Sequence, residues 1–285
     1  MAKQVYIHVG LQKTGSSFLQ QSVFPCLGGC DYFRGTDTFK KYVWNATAGK
    51  LLLSHEAFQG APVKIVSQGP KGWLNSRHHR LHILSNLWPE ANIIVVVRQH
   101  GEWLSSMYRQ YLHLGGTADF DNFFNTESDC LVERAGLIYK DLVATIKYHF
   151  RSKILIINYN GLRKEPDATL HLLSDFIGCE FIKPVHQREI NPSVKNLQAR
   201  ILRFFNSFQE PAYDEHRRKI FFQRSRGLLY MLRLTPAQLI RNHFGFLSLF
   251  GGDVVTELQI EKANHYFKQD WYWVEDNIGP IGSIL

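Results

Sequence analysis

The chain has 285 residues, 45 % of them hydrophobic, and a formal charge of +8, which is material for one large α/β core spanning residues 1–285 as a single domain. No linker, low-complexity tract or internal repeat divides it, and the apolar run Gly245–Phe250 is far too short to cross a bilayer, so a repeat array and a membrane-spanning protein are excluded. The basic balance points instead to an anionic partner.

The first predicted strand, Val5 to Val9, opens through Gly10-Leu11-Gln12-Lys13-Thr14-Gly15 into a helix pattern that begins at Ser16. Such a loop builds an anion site, because unpaired N–H groups and the positive end of the helix dipole close around a phosphate. Gly10 and Gly15 let the backbone approach, Thr14, Ser16 and Ser17 add hydroxyls, and Lys13 adds charge. The glycine spacing imitates the Walker loop G-x-x-x-x-G-K-[ST], but Ser16 stands where its lysine belongs and the cation has moved upstream to Lys13. That departure argues against an ordinary nucleoside triphosphatase.

A second strand, Lys50 to Ser54, delivers His55 and Glu56 at its carboxyl end, where either could remove a proton from a hydroxyl. The helix at Asn75–Leu87 carries His78 and His82 four residues apart; no second ligand motif accompanies them, so a solvated face and no metal are expected. The run Ile93–Val97 reads as a strand buried on both faces and ends in Arg98, where a nucleotide hydrolase would place a magnesium-linked aspartate. In the helix that follows, Ser106 lies eight residues after Arg98, with Tyr108 just beyond. A guanidinium and a hydroxyl together suit a phosphate without a metal. A helix at Leu137–His149, a strand at Ile154–Asn158 and a helix at Ala168–Ile177 continue the alternation. The expected fold is therefore α/β, three-layered and P-loop-like, with a central parallel sheet, helices on both faces and ligands at the carboxyl ends of the strands.

Gln12-Lys13-Thr14-Gly15-Ser16-Ser17 resembles the PK[ST]G[ST][ST] 5′-phosphosulfate loop of the sulfotransferases, with Gln12 in place of proline, and Arg98, Ser106 and Tyr108 are similar to their R-x7-S-x-Y signature. The stretches Tyr111–Gly116 and Leu137–Pro166, the latter including Tyr159-Asn160-Gly161-Leu162, resemble bacterial and carbohydrate sulfotransferases; the likeness covers roughly residues 3–180. It implies transfer of a sulfuryl group from 3′-phosphoadenosine 5′-phosphosulfate to an acceptor hydroxyl on a saccharide or glycolipid. In that reading Lys13, Thr14, Gly15, Ser16 and Ser17 hold the 5′-phosphate, Arg98 and Ser106 hold the 3′-phosphate, and Lys13 also serves the chemistry. Glu56 is the favoured base because it looks like the glutamate of carbohydrate-modifying members, with His55 as the alternative.

Lys183 to Phe244 carries twelve Lys or Arg against four acids, a helical and basic part whose Arg224-Ser225-Arg226-Gly227 faintly resembles a further 3′-phosphate segment. It suits an anionic acceptor, the donor, or peripheral contact with an acidic membrane. Acceptor loops are expected at Phe33–Trp44, Gly60–Trp73 and Gln187–Tyr213. Cys26, Cys30, Cys130 and Cys179 form no C-x-x-C pair and read as free thiols. A strand starting almost at Met1 leaves no basic-then-apolar leader, so a cytoplasmic chain with an unused Asn45 sequon is expected. A P-loop small-molecule kinase would share the first loop but needs magnesium and a Walker lysine. A non-enzymatic nucleic-acid or membrane-binding protein would use the basic third but leaves Lys13, Arg98 and Ser106 unexplained, and no RRM, KH or helix-turn-helix signature is present.

Overall fold

Strands that are apolar at every position must be covered on both sides, and this determines the architecture. The computed structural model describes residues 4–35, 49–60, 72–113, 116–185, 199, 203–204, 206 and 253–285. Six strands, β1 (Gln4–Val9), β2 (Cys30–Arg34), β3 (Lys50–His55), β4 (Asn92–Val97), β5 (Ile154–Asn158) and β6 (Gly282–Ile284), form one sheet in the order β2-β3-β1-β4-β5-β6. The first five run parallel, with Val9 opposite His55 and Val97 opposite Asn158. β6 departs from the all-parallel expectation. It pairs antiparallel with β5 after the chain reverses at Gly279, whose φ of +71° is left-handed.

Alternate residues of each strand face opposite layers. Val5, Ile7, Val9, Val95 and Val97 pack with Trp73, Trp103, Tyr139 and Val274 from helices α2 (Gly72–Leu87), α3 (His100–His113), α5 (Tyr139–His149) and α9 (Lys268–Ile278). On the other face Tyr6, Leu52, Ile94, Val96 and Leu155 pack with Leu19, Phe24, Leu162 and Leu173. These last come from the segment opened by α1 (Ser16–Phe18) and from α6 (Tyr159–Lys164) and α7 (Pro166–Ile177). The short helices α4 (Phe120–Phe123) and α8 (Glu257–Tyr266) complete the described set. The helix expected from Ser16 is α-helical only to Phe18, then widens to a π turn over Leu19–Val23 and tightens to a 3-10 turn over Phe24–Cys26. No described helix is long and apolar enough to cross a membrane.

The strand order reverses at β1, so the chain leaves β1 toward β2 and β3 on one side and returns to β4 on the other. Such a switch point opens a crevice at the carboxyl ends of β1 and β4. The expected acceptor segments at residues 36–44, 61–71 and most of 187–213, and nearly all of the basic stretch after Lys183 with Arg224–Gly227, lie outside the described residues. Within the first of these segments Phe33 and Arg34 belong to β2.

The C-terminal helices supply caps that α3 and α5 lack in their own sequence. Asn264 on α8 accepts the Gly101 N–H at 2.7 Å, and Asp270 on α9 accepts the N–H groups of Tyr139 and Lys140 at 2.8 and 3.0 Å. Asp270 is buried and also lies 3.2 Å from His100 Nε2. A carboxylate at a helix N-terminus satisfies orphan donors and favours the dipole. Asp270→Ala would strand two backbone N–H groups and leave the buried His100 Nε2 with the Leu137 carbonyl, 3.1 Å away. A loss of about 2–4 kcal/mol is expected, read as a lower urea midpoint with an unchanged slope.

Candidate functional site

The loop between β1 and α1 is shaped by side chains that pin its carbonyl groups. Thr14 Oγ1 and Ser16 Oγ donate to the Leu11 carbonyl at 2.7 and 3.1 Å, Trp103 Nε1 donates to Gln12 at 2.7 Å, and Arg98 Nη1 donates to Lys13 at 3.1 Å. Lys13 and Gly15 both adopt left-handed backbone, with φ of +64° and +88°. A Cβ on Gly10 would lie 2.5 Å from Ser16 Oγ, so the loop closes only around glycine there. Thr14 and Ser16 are buried and hold the loop's shape, whereas Lys13 and Ser17 are half-buried at its surface.

Arg98 leaves the end of β4 and crosses to this loop. Its Nε donates to Glu102 at 3.3 Å, and its guanidinium lies 4.5 Å from the centre of the Tyr159 ring at the end of β5. Its backbone is fixed from behind, the N–H donating to the Tyr139 hydroxyl at 3.2 Å and the carbonyl accepting from it at 2.5 Å. Ser106 lies on the buried side of α3, and no described hydrogen bond joins it to Arg98 or the loop. The structure thus joins Lys13 to Arg98 directly and leaves Ser106 as a neighbour along the same helix as Glu102 and Trp103.

On the other flank, β3 ends in His55 and Glu56 opens a 3-10 turn, Glu56–Gln59. Gln59 Nε2 donates to the Val9 carbonyl at 2.7 Å, and Trp73 Nε1 donates to the Gln59 carbonyl at 2.7 Å, which ties the turn to the end of β1. Burial raises the Glu56 pKa above the usual carboxylate value, while the positive charges of Lys13 and Arg34 pull it down by less. The His55 ring lies beside Phe58, with centres 5.7 Å apart. The positive charge of Lys13 thus acts on Glu56, a carboxyl group whose proton burial holds more tightly than usual.

Glu102, Tyr159, Tyr139, Gln59 and Arg34 were not singled out as site residues from the sequence. The Arg98/Glu102 spacing of four on a helix was a readable signal, and Tyr159 follows a predicted strand directly. His78 and His82 are exposed, yet each ring packs near His149 of α5, at 5.7 and 5.9 Å between centres. Among the described residues no group of three His, Cys, Asp or Glu is arranged to hold a metal ion. All four cysteines are free thiols.

The model of the sulfotransferase domain family matches residues 3–243. No curated protein matches the chain. Among solved structures, mouse sulfotransferase SULT7A1 complexed with PAP is 14 % identical, with a TM-score of 0.43, 95 % of this chain and 85 % of that one being covered. A sulfotransferase from Alicyclobacillus acidocaldarius is 14 % identical, with a TM-score of 0.48, covering 73 % of this chain and 93 % of that one.

A carboxyl group with a raised native pKa is disfavoured when ionised. Stability linked to Glu56 is present at low pH, where it is protonated in both states, and is lost as pH rises through its folded-state pKa. Glu56→Gln removes that loss. The variant is expected to melt at a higher temperature than wild type at pH 7.5, with the gap closing toward pH 4; a lower melting temperature at pH 7.5 would show the carboxylate to be structural.

Proposed function

Because the chain belongs to the sulfotransferase family, we propose that it takes a sulfuryl group from 3′-phosphoadenosine 5′-phosphosulfate and passes it to a hydroxyl of a saccharide or glycolipid. The observation that carries this reading is the 3.1 Å hydrogen bond from Arg98 to the Lys13 carbonyl, which joins two cationic residues at the switch point of the sheet. The loop suits a phosphate on its own geometry. Gly10 leaves no room for a side chain, and left-handed Lys13 and Gly15 curl the backbone around a concavity of the kind that binds anions.

When bound, the donor supplies an activated sulfuryl group on a phosphate leaving group. The backbone N–H groups of the loop, with Ser16 and Ser17, hold the 5′-phosphate, and Thr14 and Gly15 shape the loop. Lys13 neutralises negative charge as it grows on the leaving oxygen, a contribution larger in the transition state than in the ground state. Arg98 holds the 3′-phosphate, with Ser106 adding a hydroxyl. Glu56 removes the proton of the acceptor hydroxyl, and its raised pKa suits a base that must work near neutral pH. His55 is the alternative base. The saccharide assignment rests on Glu56, and the net positive charge of the sequence between Lys183 and Phe244 supports an anionic acceptor or a membrane carrying a glycolipid.

Thermal unfolding with adenosine 3′,5′-bisphosphate tests the reading. That nucleotide is expected to raise the melting temperature saturably and more than ATP with magnesium does, and the reverse order would overturn it. Arg98→Ala is expected to weaken adenosine 3′,5′-bisphosphate by about 2–3 kcal/mol in calorimetric titration, while leaving adenosine 5′-monophosphate nearly unaffected.

Lys13→Ala separates binding from chemistry. Turnover is expected to fall roughly a hundredfold or more while product-nucleotide affinity falls less than about tenfold. Parallel losses would make Lys13 a binding residue only.

A further inference from the structure

His8 lies on β1, two residues before Gly10, and is fully buried, its ring edge-on to Phe24 with centres 5.3 Å apart. A polar ring in such a place costs stability unless it is paired. Its Nδ1 meets Ser54 Oγ at 2.7 Å, and the same hydroxyl accepts from Gln20 Nε2 at 3.0 Å. The other ring nitrogen, Nε2, has no hydrogen-bond partner among the described residues. It faces the loop. A Cβ built on Gly10 would lie 3.4 Å from Nε2, 3.1 Å from Cε1 and 2.5 Å from Ser16 Oγ, so the ring edge, the glycine and the serine hydroxyl share one small space.

On its opposite side the imidazole holds Ser54, the β3 residue that immediately precedes His55 and Glu56. We propose that His8 is a positioning residue for sulfuryl transfer, bracing the phosphate loop from beneath through Ser16 and, through Ser54, the strand end that carries Glu56. A leucine or valine would fill the same space, as at the neighbouring strand positions, without a buried unpaired nitrogen. A departure of this kind from an apolar core is expected where it serves a site. Burial lowers the His8 pKa to about 3, so the ring is neutral at working pH and can offer the loop a hydrogen bond without adding a charge. Ser16 now donates to the Leu11 carbonyl. If its hydroxyl turns to a phosphate oxygen, Nε2 is the polar group beside the serine oxygen.

This inference rests on the reading of the loop as the donor site, and binding measurements separate the two. Calorimetric titration of adenosine 3′,5′-bisphosphate into wild type, His8→Leu, His8→Gln and Ser54→Ala is the experiment, with turnover and urea unfolding measured alongside. His8→Leu is expected to match or exceed wild type in urea midpoint, yet to bind the nucleotide about tenfold or more weakly. His8→Gln, whose amide reaches the loop side, should recover part of that affinity. Ser54→Ala should lower kcat about tenfold or more with nucleotide affinity within about twofold of wild type. Wild-type affinity and turnover in both His8→Leu and Ser54→Ala would overturn the proposal, as would losses that only track a falling folded fraction. If His8→Leu does not fold, His8→Gln and Ser54→Ala decide on the same readouts. No binding by wild type would instead refute the donor site itself.

Discussion

Three successive peptide carbonyls, those of Leu11, Gln12 and Lys13, each accept a hydrogen bond from a side chain, and the geometry of the site follows from this. With the carbonyls drawn toward Thr14, Ser16, Trp103 and Arg98, the loop N–H groups are left to a ligand. Lys13 stays in a left-handed conformation that costs a non-glycine residue about 1 kcal/mol. The donors come from the loop itself, from the end of β4 and from α3, so the loop holds its shape only when the sheet and that helix are already packed.

This dependence explains what could be read from the sequence. The strands β4 and β5 are legible because burial on both faces leaves a nearly unbroken aliphatic run, β1 because a short apolar stretch runs into a Gly/Ser/Thr-rich loop, and Lys13 and Arg98 because each follows such a strand. β2 escaped notice because Cys30-Asp31-Tyr32-Phe33-Arg34 is an edge strand, half-buried along its length and without alternation. β6 escaped because three residues of Gly-Ser-Ile carry no pattern. Thr14 and Ser16 read as hydroxyl donors from their places in the loop, and that both hydroxyls turn to the Leu11 carbonyl is a choice of backbone geometry that residue type does not encode. The Asp270 cap on α5 joins positions more than a hundred residues apart, and only the packed fold brings them together. The approach of His149 to His78 and His82 has the same origin.

Two polar groups beside the crevice, Glu56 and His8, are held against packed strands and aromatic side chains. Glu56 is pressed toward its protonated form by burial, and His8 is held neutral, with one nitrogen lacking a hydrogen-bond partner among the described residues. Each lowers the stability that a hydrophobic replacement would give, and each lies within a residue or two of the loop or the strand end that forms the site. The surrounding scaffold compensates with dense packing. Trp73, Trp103 and Tyr139 are almost wholly buried, and each uses its polar atom to hold a site segment: Gln59, Gln12 and Arg98 respectively.

Arg98 shows how such a scaffold fixes a cation at the crevice. Its side chain is 15 % exposed, whereas that of its partner Glu102 is 38 % exposed, so the carboxylate can be released to water at smaller cost than the guanidinium can be moved. The Tyr159 ring and the Lys13 carbonyl fix the plane and one edge of the guanidinium through contacts that a phosphate does not need to displace. On the proposed reading, an incoming 3′-phosphate exchanges with Glu102 alone. A dianion outcompetes a half-exposed monoanion, and the guanidinium keeps its orientation throughout.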